Sequence, residues 1–288
     1  MGVSAAAVDL LIDLRQRHLL DDVRSVAEIG SQELHLSREQ LERSLSAGGV
    51  NGYDRSKFPD IDNWPGRPRA SARGLYELLG ASEYTSFDLS GEDGAIAHDL
   101  NVPFDDHAHL GRYDLVTDHG SCEHVFDIAE AYRTVHRLAR PGGLIAIVQQ
   151  ATGSNGYFNF RPSFFEDMAQ ANGYEILASS YIVSPAAAPE QQFHLPLWSL
   201  VDEVLDHRAV SSLGLAYVFR KHGDEDFKVG YEGGYGAAVY RHRGYALSYR
   251  SEPPSRSYLP IEDAAIQTIP SRELARELRR RIRNRLAG

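Results

Sequence analysis

The chain has 288 residues, 42% of them hydrophobic, and a formal net charge of -10, a length that suits one large domain with additions better than two independent ones. Its last eighteen residues carry seven arginines against two glutamates, a local +5 that leaves the remainder at -15, and a body that acidic repels a phosphate backbone, which excludes nucleic acid as a substrate. The single cysteine, Cys122, excludes an internal disulfide and a multi-cysteine zinc site and suits a reducing compartment. Asp9 and Asp13 interrupt the apolar start of the chain, unlike a signal peptide, and no apolar run reaches the roughly 18 residues that span a bilayer, so a soluble, cytoplasmic protein is expected.

Taken in order, residues 4–18 place Val8, Leu11, Ile12 and Leu14 on a helical stripe with Ser4 as cap. The first strand is VAEIG, residues 26–30. Residues 36–72 form an insertion: a helix (SREQLERSLS), then a Gly- and Pro-rich stretch with Tyr53, Phe58 and Trp64 as aromatic anchors, which reads as an ordered lid. A helix over 71–79 stops at Gly80. Four strands follow, YTSFDL, AIAHDL, YDLVTD and GLIAIVQQ, the first three closing on Asp88, Asp99 and Asp118, with a helix over 123–138 before the fourth. Next come a helix over 162–171 closed by Asn172-Gly173, a strand over 174–183, and a helical pattern over 191–213 bearing Leu197, Leu200, Val201, Val204 and Leu205. GLAYVFRKHGDEDF reads as a seventh, edge strand. The Gly-, Tyr- and Arg-rich residues beyond it lead to a basic helix over 271–286. Strands alternating with helices imply a parallel sheet whose carboxyl ends collect the ligand, and aspartates on that edge suit a ligand rich in hydroxyls and carrying positive charge.

At these residues the chain resembles class I S-adenosylmethionine-dependent methyltransferases, over about residues 26–227. The match rests on the first strand with Glu28 and Gly30, the strand-end Asp88 and Asp99, the segment DHGSCEHVFD, and HRLARPGGLIAIV, whose Pro141-Gly142-Gly143 lets a helix end and a strand start without a clash. The resemblance implies an α/β fold: a Rossmann-like seven-stranded sheet with helices on both faces. Residues 1–235 would form the domain, with 36–72 as the lid after the first strand and 236–288 as a C-terminal extension.

It implies S-adenosyl-L-methionine as cofactor, held by the turn Glu28, Gly30, Ser31 and Gln32, by Asp88 on the ribose hydroxyls, by Asp99 and Leu100 on the adenine, and by Asp118 and His119 beside the methyl. A carboxylate suits a vicinal diol because it only accepts hydrogen bonds and offers two oxygens. Gln32 and Leu34 stand where the family has glycines. The acid after the next strand, Asp88, lies 58 positions beyond Gly30 instead of the roughly 20 of a dinucleotide site, which disfavours a nicotinamide enzyme.

Methyl transfer from a sulfonium is an in-line displacement that needs alignment and, for a hydroxyl acceptor, a base. His119 is the first choice and His124 the second, with Glu123 beside them. Some family members bind a divalent metal through a Glu-His pair and a preceding glutamate; Gly120 stands at that position, so no metal is expected. GYFNFRPSFFEDMAQANGYE resembles a branch associated with glycans and sugar-containing products. Its Tyr157, Phe158, Phe160 and Arg161, with Trp64 and Tyr53 of the lid, would bind the acceptor. The implied reaction is O-methylation of a sugar, glycan or small natural product. The alternative is a degenerate, methyltransferase-like scaffold, for which the missing glycines speak. Leu274, Leu278 and Ile282 form an apolar stripe on the terminal helix, which would dock it on the acidic body or on a second subunit of a homo-oligomer.

Overall fold

The computed structural model describes residues 2–197 and 210–232. Strand β1 (Val3–Ser4) leads into helix α1 (Ala5–Gln16), where the Ser4 hydroxyl accepts the Ala7 N–H and Val8, Leu11 and Leu14 are buried. Strand β2 (Ser25–Ile29) follows. The chain then turns into β3 (Leu34–His35), which pairs with β1, and α2 (Arg38–Ala47), opened by a reciprocal Ser37–Gln40 capping box. Helix α3 (Arg73–Leu78) ends before Gly80, whose φ of +111° makes it an effective stop, as expected. The remaining elements are β4 (Glu83–Asp88), β5 (Ile96–Ala97), β6 (Tyr113–His119), α4 (Ile128–Leu138), β7 (Ala139–Thr152), α5 (Pro162–Asn172), β8 (Glu175–Pro185), β9 (Phe193–Leu195) and β10 (Val210–Arg220).

Among the described residues eight strands, one more than the seven expected, form one sheet in the order β5-β4-β2-β6-β7-β10-β8-β9. Strands β5, β4, β2, β6 and β7 are parallel, and β10 runs antiparallel to both its neighbours. From β2 the chain goes to β4 on one side and later to β6 on the other. The crevice between the ends of β2 and β6 is therefore the topological switch point, where open α/β sheets collect ligands. Side chains alternate across the sheet: Val26, Leu115, Leu144 and Ala146 join a core with α1, α2 and α3, whereas Ala27, Ile29, Val116, Ile145 and Ile147 join a second core with α4 and α5. This is the Rossmann-like α/β class expected.

Three expectations are corrected. The reversed strand is not at the edge: β10 lies between β7 and β8, and Leu215, Ala216, Tyr217, Val218 and Phe219 are at most 1% exposed because the sheet faces both carry cores there. The edge belongs to β9, at residues expected to be helical. The His194 ring spans from the Ser180 hydroxyl (2.8 Å) to the Ala6 carbonyl (2.8 Å), and such specific pairing overrides local helical periodicity. Residues 210–213 belong to β10, while Leu200, Val201, Val204 and Leu205 lie outside the described residues, as do the C-terminal extension over 236–288 and its basic helix. The third strand is only two residues long; the chain after it is irregular and anchored by buried Phe104 against Phe87 (5.3 Å) and His98 (4.9 Å).

The stretch after α2 is ordered by Phe58 and Ile61, both buried in the first core. Gly74 permits this: a Cβ there would approach the Lys57 carbonyl oxygen to 2.3 Å. The Arg38–Asp62 ion pair (2.7 Å) ties the stretch to α2. Among the described residues no helix is long and apolar enough to cross a membrane.

Candidate cofactor and active site

The turn after β2 is built around Gly30, which sits at φ +79° and donates its N–H to the Phe87 carbonyl (2.7 Å). A Cβ here would meet the Ser121 hydroxyl at 2.4 Å, so only glycine fits. Gln32 is buried, and its Nε2 donates to the Ile29 carbonyl (3.0 Å) and to the Ser121 hydroxyl (2.7 Å), which itself donates to Ile29 (2.7 Å). An amide side chain thus laces the ends of β2 and β6 together across the switch point.

Beside this lacing lies a cavity of about 550 Å³. Five carboxylates line it, those of Glu33, Asp88, Glu92, Asp93 and Asp99, against one guanidinium, Arg67 of the insertion. Asp88, at the end of β4, accepts the Ser31 N–H (3.1 Å) on Oδ2 and the Ser90 N–H (2.8 Å) and hydroxyl (2.6 Å) on Oδ1. Burial works to raise its pKa, but the Ser90 and Ser31 bonds outweigh it and hold the carboxyl below the ordinary range. Asp99 accepts the Asn101 N–H (2.9 Å) and Nδ2 (2.8 Å), which lower its pKa, and Leu100 lines the cavity next to it. The expected cofactor residues Gly30, Ser31, Gln32, Asp88, Asp99 and Leu100 therefore share one cavity.

His124 lines the same cavity, with a side chain 44% exposed. Its Nε2 lies 3.6 Å from Glu123 Oε1 and 3.3 Å from Asn155 Nδ2. Among the described residues no hydrogen bond engages its Nδ1. Glu123 is fully buried and its Oε2 accepts the Gln150 N–H (3.1 Å); burial raises its carboxyl to about 7. Burial lowers the His124 pKa, so the ring is neutral at pH 7.

Glu28, Asp118 and His119 do not line the cavity. Strand geometry is the reason: all three are at most 1% exposed within the sheet layers, below its edge. Asp118 Oδ1 accepts the N–H groups of Ser121 (3.0 Å) and Cys122 (3.2 Å), and Oδ2 faces Gln149 and Tyr132, so this carboxylate folds the loop that carries Ser121 and His124. Burial raises its pKa. Among the described residues His119 has no hydrogen-bond partner on either ring nitrogen, and burial pushes its pKa down to about 4, leaving it neutral.

Glu28 accepts the Tyr84 hydroxyl and the Gln32 N–H (3.0 Å) on one oxygen, and burial raises it to about 7. Below its ordinary value near 4.5 the carboxyl is protonated in both folded and unfolded chains. Between that and about 7 only the folded state keeps the proton, so stability is lost as pH rises through this window. In Glu28→Gln the change in melting temperature from about pH 5 to about pH 8 is expected to be less unfavourable than in the wild type. Parallel pH curves in the two proteins would refute the assignment.

Of the acceptor candidates, Phe158, Phe160 and Arg161 come together, and Tyr157, Tyr53 and Trp64 stand apart from them. Tyr157 is 68% exposed and stands edge-on to Phe126 (5.8 Å). Phe160 is buried against Phe165 (5.3 Å). With Phe158 and Arg161 it lines a second, mostly apolar cavity of about 510 Å³, together with Tyr132, Phe164 and Met168. Tyr53 donates to Glu42 (2.9 Å) and packs on Phe58, away from both cavities. Trp64 stacks on His35 (5.2 Å) and under Arg69 (5.0 Å); the insertion reaches the first cavity through Arg67 instead. Sequence reading missed Arg67, which lies in no motif, and did not single out Ser121 within DHGSCEHVFD, because only the fold brings Arg67 to the strand ends and Ser121 against Gln32. Among the described residues no group of three or more His, Cys, Asp or Glu is arranged to hold a metal ion.

No family model matches the chain, and no curated protein matches it. Similar solved structures exist. One is the 1,6-didemethyltoxoflavin N1-methyltransferase of Burkholderia thailandensis with bound 1,6-didemethyltoxoflavin and S-adenosylhomocysteine, at 13% identity, TM-score 0.39, covering 75% of this chain and 79% of that one. Another, from Galdieria sulphuraria and assigned as a sarcosine dimethylglycine methyltransferase, has 11% identity, TM-score 0.42, and coverage of 74% and 85%. The [4+2]-cyclase SpnF has 13% identity, TM-score 0.39, and coverage of 75% and 82%.

Proposed function

We propose that the 550 Å³ cavity binds S-adenosyl-L-methionine and that the protein moves its methyl group to a hydroxyl of a small molecule or glycan. The observation that carries this reading is the pair Asp88 and Asp99 on one cavity beside the switch point, lined also by His124 with buried Glu123 behind it. The donor set fits the cofactor: carboxylates suit ribose hydroxyls, an exocyclic amine and cationic groups, and Arg67 suits a carboxylate. When bound, the cofactor supplies an electrophilic methyl on a sulfonium.

With its ring hydrogen on Nε2 toward Glu123, His124 would take the acceptor's hydroxyl proton on Nδ1. Glu123, facing Nε2, orients the ring and stabilises its charged form. Isothermal calorimetry with S-adenosylhomocysteine tests the reading; no heat at millimolar ligand would reject it.

A second reading, a scaffold that no longer binds the cofactor, is favoured by the Gln32–Ser121 bond across the switch point. The two readings differ in what that side chain does. If Gln32 narrows a working site, Gln32→Gly is expected to tighten S-adenosylhomocysteine binding about threefold or more, since a ligand no longer has to displace a buried hydrogen bond. Weaker binding in Gln32→Gly would mean the amide contacts the ligand.

A further inference from the structure

Four large hydrophobic side chains stand exposed among the described residues: Leu89 (73%), Val102 (48%), Phe126 (76%) and Tyr157 (68%). Each lies in a different loop, after β4, β5, β6 and β7 respectively, so all four fall on the one sheet edge that carries the candidate site. Leu89 lines the carboxylate-rich cavity. The Asn101 side chain accepts the Asp127 N–H (3.0 Å), which pins the loop of Val102 beside that of Phe126. Phe126 and Tyr157 meet edge-on, and the Tyr157 N–H donates to the Glu123 carbonyl (2.7 Å), seating this ring next to the His124–Glu123 pair. Tyr157 in turn contacts Phe158 (6.4 Å between ring centres), which lines the apolar 510 Å³ cavity.

Phe126, Tyr157 and Phe158 thus form an apolar strip that leads from beside the candidate base into the second cavity, with Leu89 and Val102 exposed on the same sheet edge. Exposed apolar surface costs solubility and marks a place where something binds. A second copy is a poor occupant, because four side chains fall well short of the roughly 800 Å² per partner of a stable interface. A stable partner there would also close the mouth that an acceptor must use.

We infer that the acceptor is an amphiphile: its hydroxyl lies at His124, and its apolar part crosses Phe126 and Tyr157 into the second cavity. This rests on the methyl-transfer reading for the identity of the head group, whereas the apolar binding itself does not. It sets aside a bare glycan, which would leave that strip wet.

The test uses the full chain and the neutral fluorescent probe N-phenyl-1-naphthylamine. Its emission is expected to rise and shift to the blue on binding, and 1-dodecanol is expected to displace it at lower concentration than 1-hexanol. Phe126→Ser combined with Tyr157→Ser is expected to weaken probe binding about tenfold or more, with melting temperature and S-adenosylhomocysteine binding unchanged, since both rings are exposed and neither lines the first cavity. No enhancement with the intact chain, displacement independent of alcohol length, or equal binding by the double variant would each overturn the proposal. So would a wild-type dimer that becomes monomeric in the variant, which would make the strip a self-interface. Probe binding with no S-adenosylhomocysteine binding in either protein would reject the cofactor reading and still support an amphiphile site.

Discussion

His124→Ala is expected to lower kcat by about 10² or more while changing S-adenosylhomocysteine affinity little, the pattern of a lost general base. The cavity-facing, neutral ring of His124 with buried Glu123 behind it is the observation that singles this residue out. The control is His119→Phe. His119 is buried, with both nitrogens unpartnered among the described residues, so filling its place with an apolar ring should leave kcat within about threefold, without loss of melting temperature. The pH profile adds a separate readout. Glu123 is raised to about 7, so its ionised form, which stabilises a protonated His124, is gained as pH rises through that value. The rate should climb over the same window and flatten above it. In Glu123→Gln the climb near 7 should disappear. A silent His124→Ala with a damaging His119→Phe would return the role to the buried ring.

Asp88→Ala is expected to weaken S-adenosylhomocysteine binding more than tenfold, because two charge-assisted hydrogen bonds at a half-buried site contribute about 2 to 3 kcal/mol. The carboxylate also holds the Ser31 and Ser90 N–H groups. Some loss of melting temperature, about 2 to 4 °C per kcal/mol, therefore accompanies the substitution. Asp88→Asn separates the two effects: an amide oxygen still accepts from one turn, but the charge is gone. Affinity should stay low in Asp88→Asn while the melting temperature partly recovers. Calorimetry and thermal denaturation on the three proteins decide it, and unchanged affinity in both variants would detach Asp88 from the ligand.

The sequence by itself determined the elements whose cause is local. Ser4 and the Ser37–Gln40 box open their helices, Gly80 and Gly173 close theirs with φ of +111° and +64°, and short runs bounded by turn residues became β2, β4, β6 and β7. It also led to Asp88, the last residue of β4, and to Asp99 and His124 in the loops after β5 and β6, because the segments that follow parallel strands fall on the edge that collects ligands. Only the tertiary structure decided matters that depend on neighbours distant in the chain. The reversed strand lies inside the sheet because both its faces found cores, and residues 193–195 became a strand because His194 is held between Ser180 and Ala6. His119 and Asp118 follow one another at the end of β6 and alternate across it, yet layers on both faces bury the pair. Burial from above and below cannot be read from alternation, which tells which face a residue takes and not what covers it. For the same reason the Gln32–Ser121 lacing, the arrival of Arg67 and the gathering of Leu89, Val102, Phe126 and Tyr157 on one edge came from topology, which brings together loops that share no sequence signal.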